Sequence, residues 1–136
     1  MSIKSNGDST IPASGGSGGV YSIGVTVDGQ GNALTIGQKG YRSIDVAGTI
    51  TRVRLLADQS GDIVMDVWND LFANYPPTVA DTITAAAKPT ISSDDNSEDT
   101  TLTGWTTSVS VGDVIGFNID SVSTITRITL ELEITP

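Results

Sequence analysis

The side chains that could carry chemistry in this chain are almost all carboxylates. The sequence has 16 Asp and Glu residues but no His and no Cys. The commonest general base, the commonest zinc ligand and the thiolate nucleophile are therefore missing, and neither a Ser-His-Asp nor a Cys-His constellation can be built. Paired carboxylates could still act as an acid and a base.

Two carboxylate pairs share a strand face by their spacing, Asp62 with Asp66 and Glu131 with Glu133. A glycosidase needs such a pair in a cleft, with the pKa of one member raised. Only 5% of the chain is aromatic, and no pattern indicates a deep cleft. We therefore predict that the protein is not an enzyme and holds no cofactor.

A third acidic group is the stretch SSDDNSED, residues 92–99. Calcium takes six to eight oxygen ligands, which a loop of this composition can supply. The Asp-x-Asp-x-Asp-Gly spacing is missing, however, and no glycine provides the sharp turn of such a site. We predict a solvated acidic loop and no metal site.

The net charge of the chain is −9, from 16 acidic and seven basic residues. An acidic surface repels the phosphates of nucleic acids and anionic lipid heads. No apolar run approaches the ~18 residues of a membrane span, and the N-terminal MSIKSNGDST has no apolar signal core. We expect no nucleic-acid partner, no membrane partner, and synthesis in a cytoplasm.

A tyrosine precedes two prolines within GDIVMDVWNDLFANYPPTVADTI, residues 61–83. Pro76 and Pro77 fix φ and remove two amide donors, so this segment cannot be a central strand and is pre-organised. We predict that Tyr75, Pro76 and Pro77 form a rigid contact with a subunit or another partner protein. Because exposed rings can stack on sugars, Tyr75 and Trp105 are also the candidates for a glycan contact.

Arg52 and Arg54 alternate with Val53 and so share the outer face of one strand. In an acidic protein, such a local basic stripe indicates a subunit contact. The alternative is pairing with Glu131 and Glu133, which show the same outward pattern.

The candidate residues named above and below belong to two parts of the chain, a flexible N-terminal arm and one folded domain. Residues 1–19 contain five glycines and five serines, which is typical of a flexible N-terminal arm. Within the arm, Ile3 and Ile11 are the predicted anchors on a partner surface. Residues 20–136 form the folded domain.

Period-two patterns and frequent turn residues predict an all-β domain. The predicted strands are 20–27, 41–46, 48–57, 63–68, 102–111, 113–120 and 126–134. DQSGD (58–62) is predicted as a hairpin turn, and DTITAAAK (81–88) is the one helical candidate. We expect an antiparallel, jelly-roll-like β-sandwich of about seven or eight strands, with a small closed barrel as the alternative.

The strand at 63–68 has a mixed second face, formed by Val64, Asp66 and Trp68. A polar and an aromatic residue together on an outer face indicate that something covers it. We predict a neighbouring loop or subunit there.

Four blocks of the sequence carry a family resemblance. LLADQSGDIVMDVW (55–68), ANYPPTVADTI (73–83), TLTGWTTSVSVGD (101–113) and GFNIDSVSTITRITLEL (116–132) resemble a small β-rich domain of tailed-bacteriophage virion proteins. That domain occurs in head decoration proteins and in fibre or tail-associated proteins. The blocks are structural and carry no catalytic signature. The resemblance implies a virion component that forms a homotrimer.

Within this family, a short chain with an arm and without a repetitive shaft is more similar to a decoration, or cement, protein. The resemblance then implies binding to the major capsid protein on the outer surface of the mature head. Binding only the expanded shell stabilises it by mass action. The alternative is a receptor-binding, fibre-tip or tail-associated module that recognises a host surface glycan.

Overall fold

A computed structural model describes residues 19–136 of the chain. The predicted anchors Ile3 and Ile11 lie outside the described residues, as does almost all of the predicted arm. We number the strands in chain order as β1 (Tyr21–Asp28), β2 (Gly37–Ser43), β3 (Gly48–Leu71), β4 (Thr90–Asp99), β5 (Ser108–Val109), β6 (Asp113–Ser123) and β7 (Arg127–Thr135). Short 3₁₀ turns cover Phe72–Asn74 and Val79–Asp81, and no α-helix is present among the described residues.

All seven strands pair antiparallel in one sheet of order β1-β7-β3-β6-β2, with β4 and β5 also paired to β3. Residues 49–57 of β3 pair with β7, and residues 62–71 pair with β6. The first half of β3 with β7 and β1 forms what we call the first wall. The second half with β6 and β2 forms the second wall. The predicted antiparallel all-β class is confirmed, and because both walls share β3 the sheet is continuous and nearly barrel-shaped.

The segment DQSGD bends β3 instead of reversing it, so the predicted hairpin turn at 58–62 is wrong. The carboxylate of Asp58 accepts a hydrogen bond from the backbone N–H of Arg127 at 3.0 Å. An added Cβ at Gly61 would lie 2.4 Å from the hydroxyl of Thr124, so the bend requires a glycine there. These contacts hold the bend between the walls, which we call the corner.

Inward-facing residues of both walls form one core. The alternation predicted for β6 and β7 is confirmed, because seven of their side chains have no exposed surface: Ile115, Phe117, Ile119, Ile128, Leu130, Leu132 and Ile134. The predicted strand at 102–111 is extended only at β5. Positive φ angles at Leu102 (51°) and Gly104 (78°) turn the chain inward before it.

The stretch at 92–99 belongs to strand β4, so the prediction of an acidic loop is wrong. It pairs with β3 at residues 53–56 and at Gly61. The other edge of β4 pairs with no described strand, and its side chains are mostly exposed. Charged residues are common on edge strands because they discourage further pairing.

The predicted helix at 81–88 is also wrong. Thr82 forms an isolated bridge with Trp68, and Ala85 has a φ of 52°. Hydrogen bonding to the edge of β3 therefore overrides the helix propensity of the three alanines.

Candidate contact surfaces

Residues 72–89, which we call the strap, cross the outer face of the second wall. The strap also follows the edge of β3, where the Ile83 N–H donates to the Val67 carbonyl at 3.0 Å. Beneath it, Asp66 is fully buried and Trp68 is 8% exposed. The predicted cover over this face is thus a loop of the same chain.

Asp66 is the central polar group under the strap. Its Oδ1 accepts hydrogen bonds from the hydroxyls of Thr82 and Thr84, both at 2.7 Å. The carboxylate also accepts from the Val67 N–H at 2.8 Å and from the Trp68 indole N–H at 3.1 Å. Burial alone would raise the pKa of Asp66, but these four hydrogen bonds stabilise the anion more strongly, and the pKa lies below its ordinary value. The carboxylate therefore joins the strap to β3.

Lys88 links the strap to a second carboxylate. Its Nζ lies 2.6 Å from Asp120 Oδ2 and 3.7 Å from Asp66 Oδ2. The hydrogen bond to Asp120 raises the pKa of Lys88, against the smaller opposing effect of burial. Because Lys88 is held protonated and Asp66 ionised, this cluster suits a structural ion pair rather than proton transfer or nucleophilic attack.

The two carboxylate pairs considered from spacing are not brought together in a cleft. A register shift separates Asp62 from Asp66. Asp62 accepts from the Ser93 N–H at 2.9 Å beside the corner, whereas Asp66 lies beneath the strap. Glu133 pairs with an arginine on the outer face of the first wall.

The two prolines lie where the strap passes over the second wall. Pro77 is buried and Pro76 is exposed. An added Cβ at Gly116 of β6 would lie 3.3 Å from Pro77 Cγ, so the proline packs directly on the sheet. The Tyr75–Pro76 peptide bond is cis. On its inner side, this loop is part of the molecule's own packing.

The Tyr75 ring lies at the boundary between this packing and solvent. It meets the Tyr41 ring of β2 edge-on at a centroid distance of 5.0 Å and stacks with Phe72 at 6.5 Å. Tyr75 is nevertheless 51% exposed. It is a ring in contact with two other rings, with about half of the residue's surface open to solvent.

Trp105 is 9% exposed and belongs to the main core. Its indole N–H donates to the Ala87 carbonyl at 2.8 Å. A ring that stacks on a sugar needs an open face, so the prediction of Trp105 as a glycan contact is wrong. Its buried position depends on the inward turn before β5, and no local sequence pattern predicts that turn.

The guanidinium groups of Arg52 and Arg54 are both paired within the chain. Arg52 Nη1 lies 3.3 Å from Glu133 Oε2, as the alternative prediction required. Arg54 Nε lies 2.6 Å from Glu98 Oε2. Sequence reasoning missed this second partner because Glu98 was assigned to a loop. The outer face of the first wall therefore carries neutralised pairs.

A shallow depression of about 230 Å³ lies on the first wall beside Gly24. A Cβ at Gly24 would lie 1.9 Å from the Leu130 carbonyl oxygen, so residue 24 cannot carry a side chain unless β1 moves away from β7. Arg42 borders it and donates to the Gly24 carbonyl at 3.2 Å. The other residues that line it are polar, Ser22, Thr26, Thr129 and Glu131, and apolar, Ile23, Val25 and Leu130.

The end of the molecule opposite the corner, which we call the far end, gathers the chain segments that join the two walls. The Phe72 N–H donates to the Gly112 carbonyl at 3.2 Å, and the Gly112 N–H donates to the Ile44 carbonyl at 2.9 Å. The Tyr21 hydroxyl donates to the carbonyl of Val46. These bonds join the start of β1, the β2–β3 connection, the strap and the β5–β6 turn.

Six large apolar side chains at the far end are each at least half exposed. We call them the end cluster, and they are Val20, Val46, Leu71, Phe72, Tyr75 and Val111. The described part of the chain begins at this same end, at Gly19. Sequence reasoning identified Tyr75 but missed the other five, because the turns that bring them together are defined by long-range pairing.

Among residues 19–136, no group of three or more acidic side chains is placed to hold a metal ion. The same residues include no helix with the length and apolar character needed to cross a lipid bilayer. No family model, no curated protein and no solved structure matches this chain.

Proposed function

We propose that this chain is a structural, non-enzymatic protein of a bacteriophage virion, and more specifically a decoration protein of the mature head. In this proposal it is made in the host cytoplasm, forms a homotrimer and binds the major capsid protein on the outer capsid surface. The observation that carries the proposal is the position of Gly19 at the far end. Residues 1–18 precede Gly19 in the chain, and the same end of the domain carries the exposed end cluster, so in this proposal that end faces the capsid.

The charge and packing of the domain support this assignment. An acidic surface would keep decorated particles apart in solution. The domain is tied together at its corner and under its strap, so it can bind without reorganising its core. Binding only the expanded shell would stabilise that shell in proportion to the occupancy of the sites.

The proposal is tested by mixing the protein with empty expanded capsids and, separately, with host cells, and measuring which of them it sediments with. We expect sedimentation with capsids. Removal of residues 2–18 should abolish capsid binding and leave the thermal unfolding of the domain unchanged. Sedimentation with cells alone would contradict the proposal, and full binding by the truncated chain would show that the arm is not the anchor.

The second candidate function is a receptor-binding, fibre-tip or tail-associated module that recognises a host glycan. The depression at Gly24 favours it, because hydroxyls, a guanidinium and a carboxylate can bond sugar hydroxyl groups. This function predicts that Arg42→Ala weakens binding to host cells. Arg127→Ala is the matched control, since Arg127 is also an exposed arginine on a strand but does not line the depression.

A further inference from the structure

We propose that the depression at Gly24 binds a uronic acid, a sugar that carries a carboxylate, and that Arg42 holds this carboxylate. The proposal deepens the second candidate function by naming the chemistry of its glycan, and it rests on that function only for the source of the sugar. No residue of the end cluster lines the depression. A sugar bound here and a capsid bound at the far end would therefore use different surfaces.

The depression lies where the two ends of the sheet come together. Strands β1 and β2 are the outermost strands of the pairing order, and no backbone ladder joins them in the described part of the chain. They are nevertheless in contact, because a Cβ at Gly40 of β2 would lie 3.1 Å from Val25 Cγ2 of β1. Arg42 of β2 reaches across this junction and donates to the Gly24 carbonyl at 3.2 Å. Because residue 24 has no side chain, a ligand can approach the backbone of β1 beside the guanidinium.

The charge of Arg42 is not neutralised by the domain itself. Carboxylates lie within ion-pairing distance of Arg52, Arg54 and Lys88. Among residues 19–136, no carboxylate comes that close to Arg42. Its bond to the Gly24 carbonyl holds the guanidinium in place and occupies one of its five N–H donors. The remaining donors suit the two oxygens of a carboxylate, which an arginine can bind bidentately.

A carboxylate in the same depression favours a sugar over a simple anion. Glu131 lines the depression and lies opposite Gly24 in the pairing of β1 with β7. Arg54 is its neighbour on β3, but the Arg54 guanidinium is paired with Glu98. An ionised carboxylate only accepts hydrogen bonds, so Glu131 requires a ligand with donors, such as hydroxyl groups. A uronic acid supplies an anionic acceptor for Arg42 and hydroxyl donors for Glu131 on one ring.

The hydroxyl groups and the size of the depression fit a single sugar ring. The hydroxyls of Thr26 and Thr129 lie 2.9 Å apart, and Ser22 adds a third hydroxyl to the lining. Each hydroxyl can both donate and accept, as the hydroxyls of a sugar do. The volume of about 230 Å³ is below the roughly 300–1,000 Å³ of sites that bury a whole drug-sized ligand. The depression therefore suits one unit of a longer glycan.

The net charge of −9 opposes the approach of any anionic ligand, so it sets the conditions of the test. At an ionic strength of about 0.15 M, interactions between exposed charges more than about 8 Å apart are largely screened. Direct contact between Arg42 and a carboxylate is much shorter than this distance. Binding measured at this ionic strength therefore reports the groups in the depression and not the field of the whole domain.

The test is a titration of the full, isotope-labelled chain with methyl glucuronide, followed through the backbone amide signals in NMR spectra. Methyl glucoside is the matched ligand, because it has a hydroxymethyl group where the glucuronide has its carboxylate. We expect the glucuronide to shift the amides of β1 around Gly24 and to bind at least about tenfold more tightly than the glucoside. Acetate, which lacks donors for Glu131, and alanine, which lacks ring hydroxyls, should both bind more weakly than the glucuronide.

Variants of Arg42 test its role in the same titration. Arg42→Ala should remove the preference for the glucuronide, and Arg42→Lys should keep only part of it, because lysine has the charge without the planar fork. Arg127→Ala is the matched control, since Arg127 is an exposed arginine that does not line the depression. It should bind the glucuronide as the wild type does. If Arg42→Ala lowers the thermal midpoint, Arg42→Lys is the test variant.

No binding of the glucuronide, equal binding of the two glycosides, equal binding of acetate or alanine, or unchanged binding by the Arg42 variants would overturn this site. All of these outcomes are independent of capsids and cells. Host-cell binding that is lost in Arg42→Ala, without any binding of the glucuronide, would keep the glycan-binding function and remove the uronic acid. Conversely, a chain that binds the glucuronide but sediments only with capsids would keep this site and remove the receptor-binding function.

Discussion

The two walls share strand β3, yet their outer faces are built in opposite ways. On the first wall, Arg52 and Arg54 extend from β3 and pair with carboxylates near solvent. On the second wall, Asp66 and Trp68 occupy the outer positions of the same strand and are buried beneath the strap. The outward side chains of one strand can therefore form two kinds of face. Charged side chains that extend into water form a solvated face, and side chains that do not are covered by another segment of the chain.

The difference has an energetic meaning. Ion pairs between exposed side chains contribute about 0–1 kcal/mol, because water already solvates each charge. A buried group left without a hydrogen-bonding partner costs about 1–3 kcal/mol, and more where it is charged. We therefore expect loss of an outward side chain to cost more stability on the second wall than on the first.

The strongest test of this contrast is Asp66→Ala. Removal of the carboxylate leaves the Thr82 and Thr84 hydroxyls without their acceptor and also weakens the attachment of the strap. We expect the free energy of unfolding to fall by about 3–5 kcal/mol, measured by urea denaturation. The exposed carboxylate variant Asp45→Ala is the control and should change it by less than about 0.5 kcal/mol. A loss below 1 kcal/mol for Asp66→Ala would remove the distinction between the walls.

Substitutions that add a side chain at a glycine should show the opposite order, because they test the space around the backbone and not the loss of an outward group. Gly24→Ala on the first wall would place a Cβ 1.9 Å from the Leu130 carbonyl oxygen, so β1 must move away from β7. We expect a loss of about 1–3 kcal/mol in the free energy of unfolding. Gly116→Ala on the second wall meets Pro77 Cγ at 3.3 Å, which the strap can accommodate by a small shift. Its loss should be smaller, and the reverse order would show that the strap is the more rigid partner.

The acid stability of the protein tests the ionised state of Asp66. Its pKa is lowered in the folded protein, so the unfolded chain binds more protons as the pH falls. This stabilisation is complete above the ordinary aspartate pKa of about 3.9 and is lost as the pH falls through the lower folded value. Denaturation curves between about pH 2 and 6 should show a steeper loss for the wild type than for Asp66→Asn. Parallel curves would mean that Asp66 does not contribute to the acid transition.

The smallest expected effect is on the first wall. In a double-mutant cycle of Arg54→Ala and Glu98→Ala, the coupling energy should be at most about 0.5–1 kcal/mol, because both side chains are largely exposed. It should fall further in about 1 M salt, where charges are screened within about 3 Å. A coupling energy above about 2 kcal/mol at moderate salt would show that this ion pair is shielded from water. It would contradict the contrast between a solvated first wall and a covered second wall.

Sequence patterns predicted the parts of this fold that depend on local alternation. The buried faces of β6 and β7 follow directly from the apolar residues at every second position. The covered face around Asp66 and Trp68 was also predictable, because neither side chain suits an open sheet surface. Both inferences needed only the geometry of one strand.

The errors occur where distant partners decide the outcome. DQSGD has the composition of a hairpin turn, but residues 123–127 bend beside it and β3 continues through the corner. The acidic residues 92–99 become a strand because β3 offers them a free edge. The partner of Arg54 and the end cluster follow from the same long-range pairings, so neither was visible in local sequence.

The central position of β3 also sets the order of events during synthesis. Thr49 pairs with Thr135, so the strand that most others join cannot complete its own ladder until residue 135 has left the ribosome. Non-local pairing of this kind gives folding times on the order of milliseconds to seconds. We expect a late, largely all-or-none folding step, and a nascent chain that ends before β7 should remain sensitive to proteases.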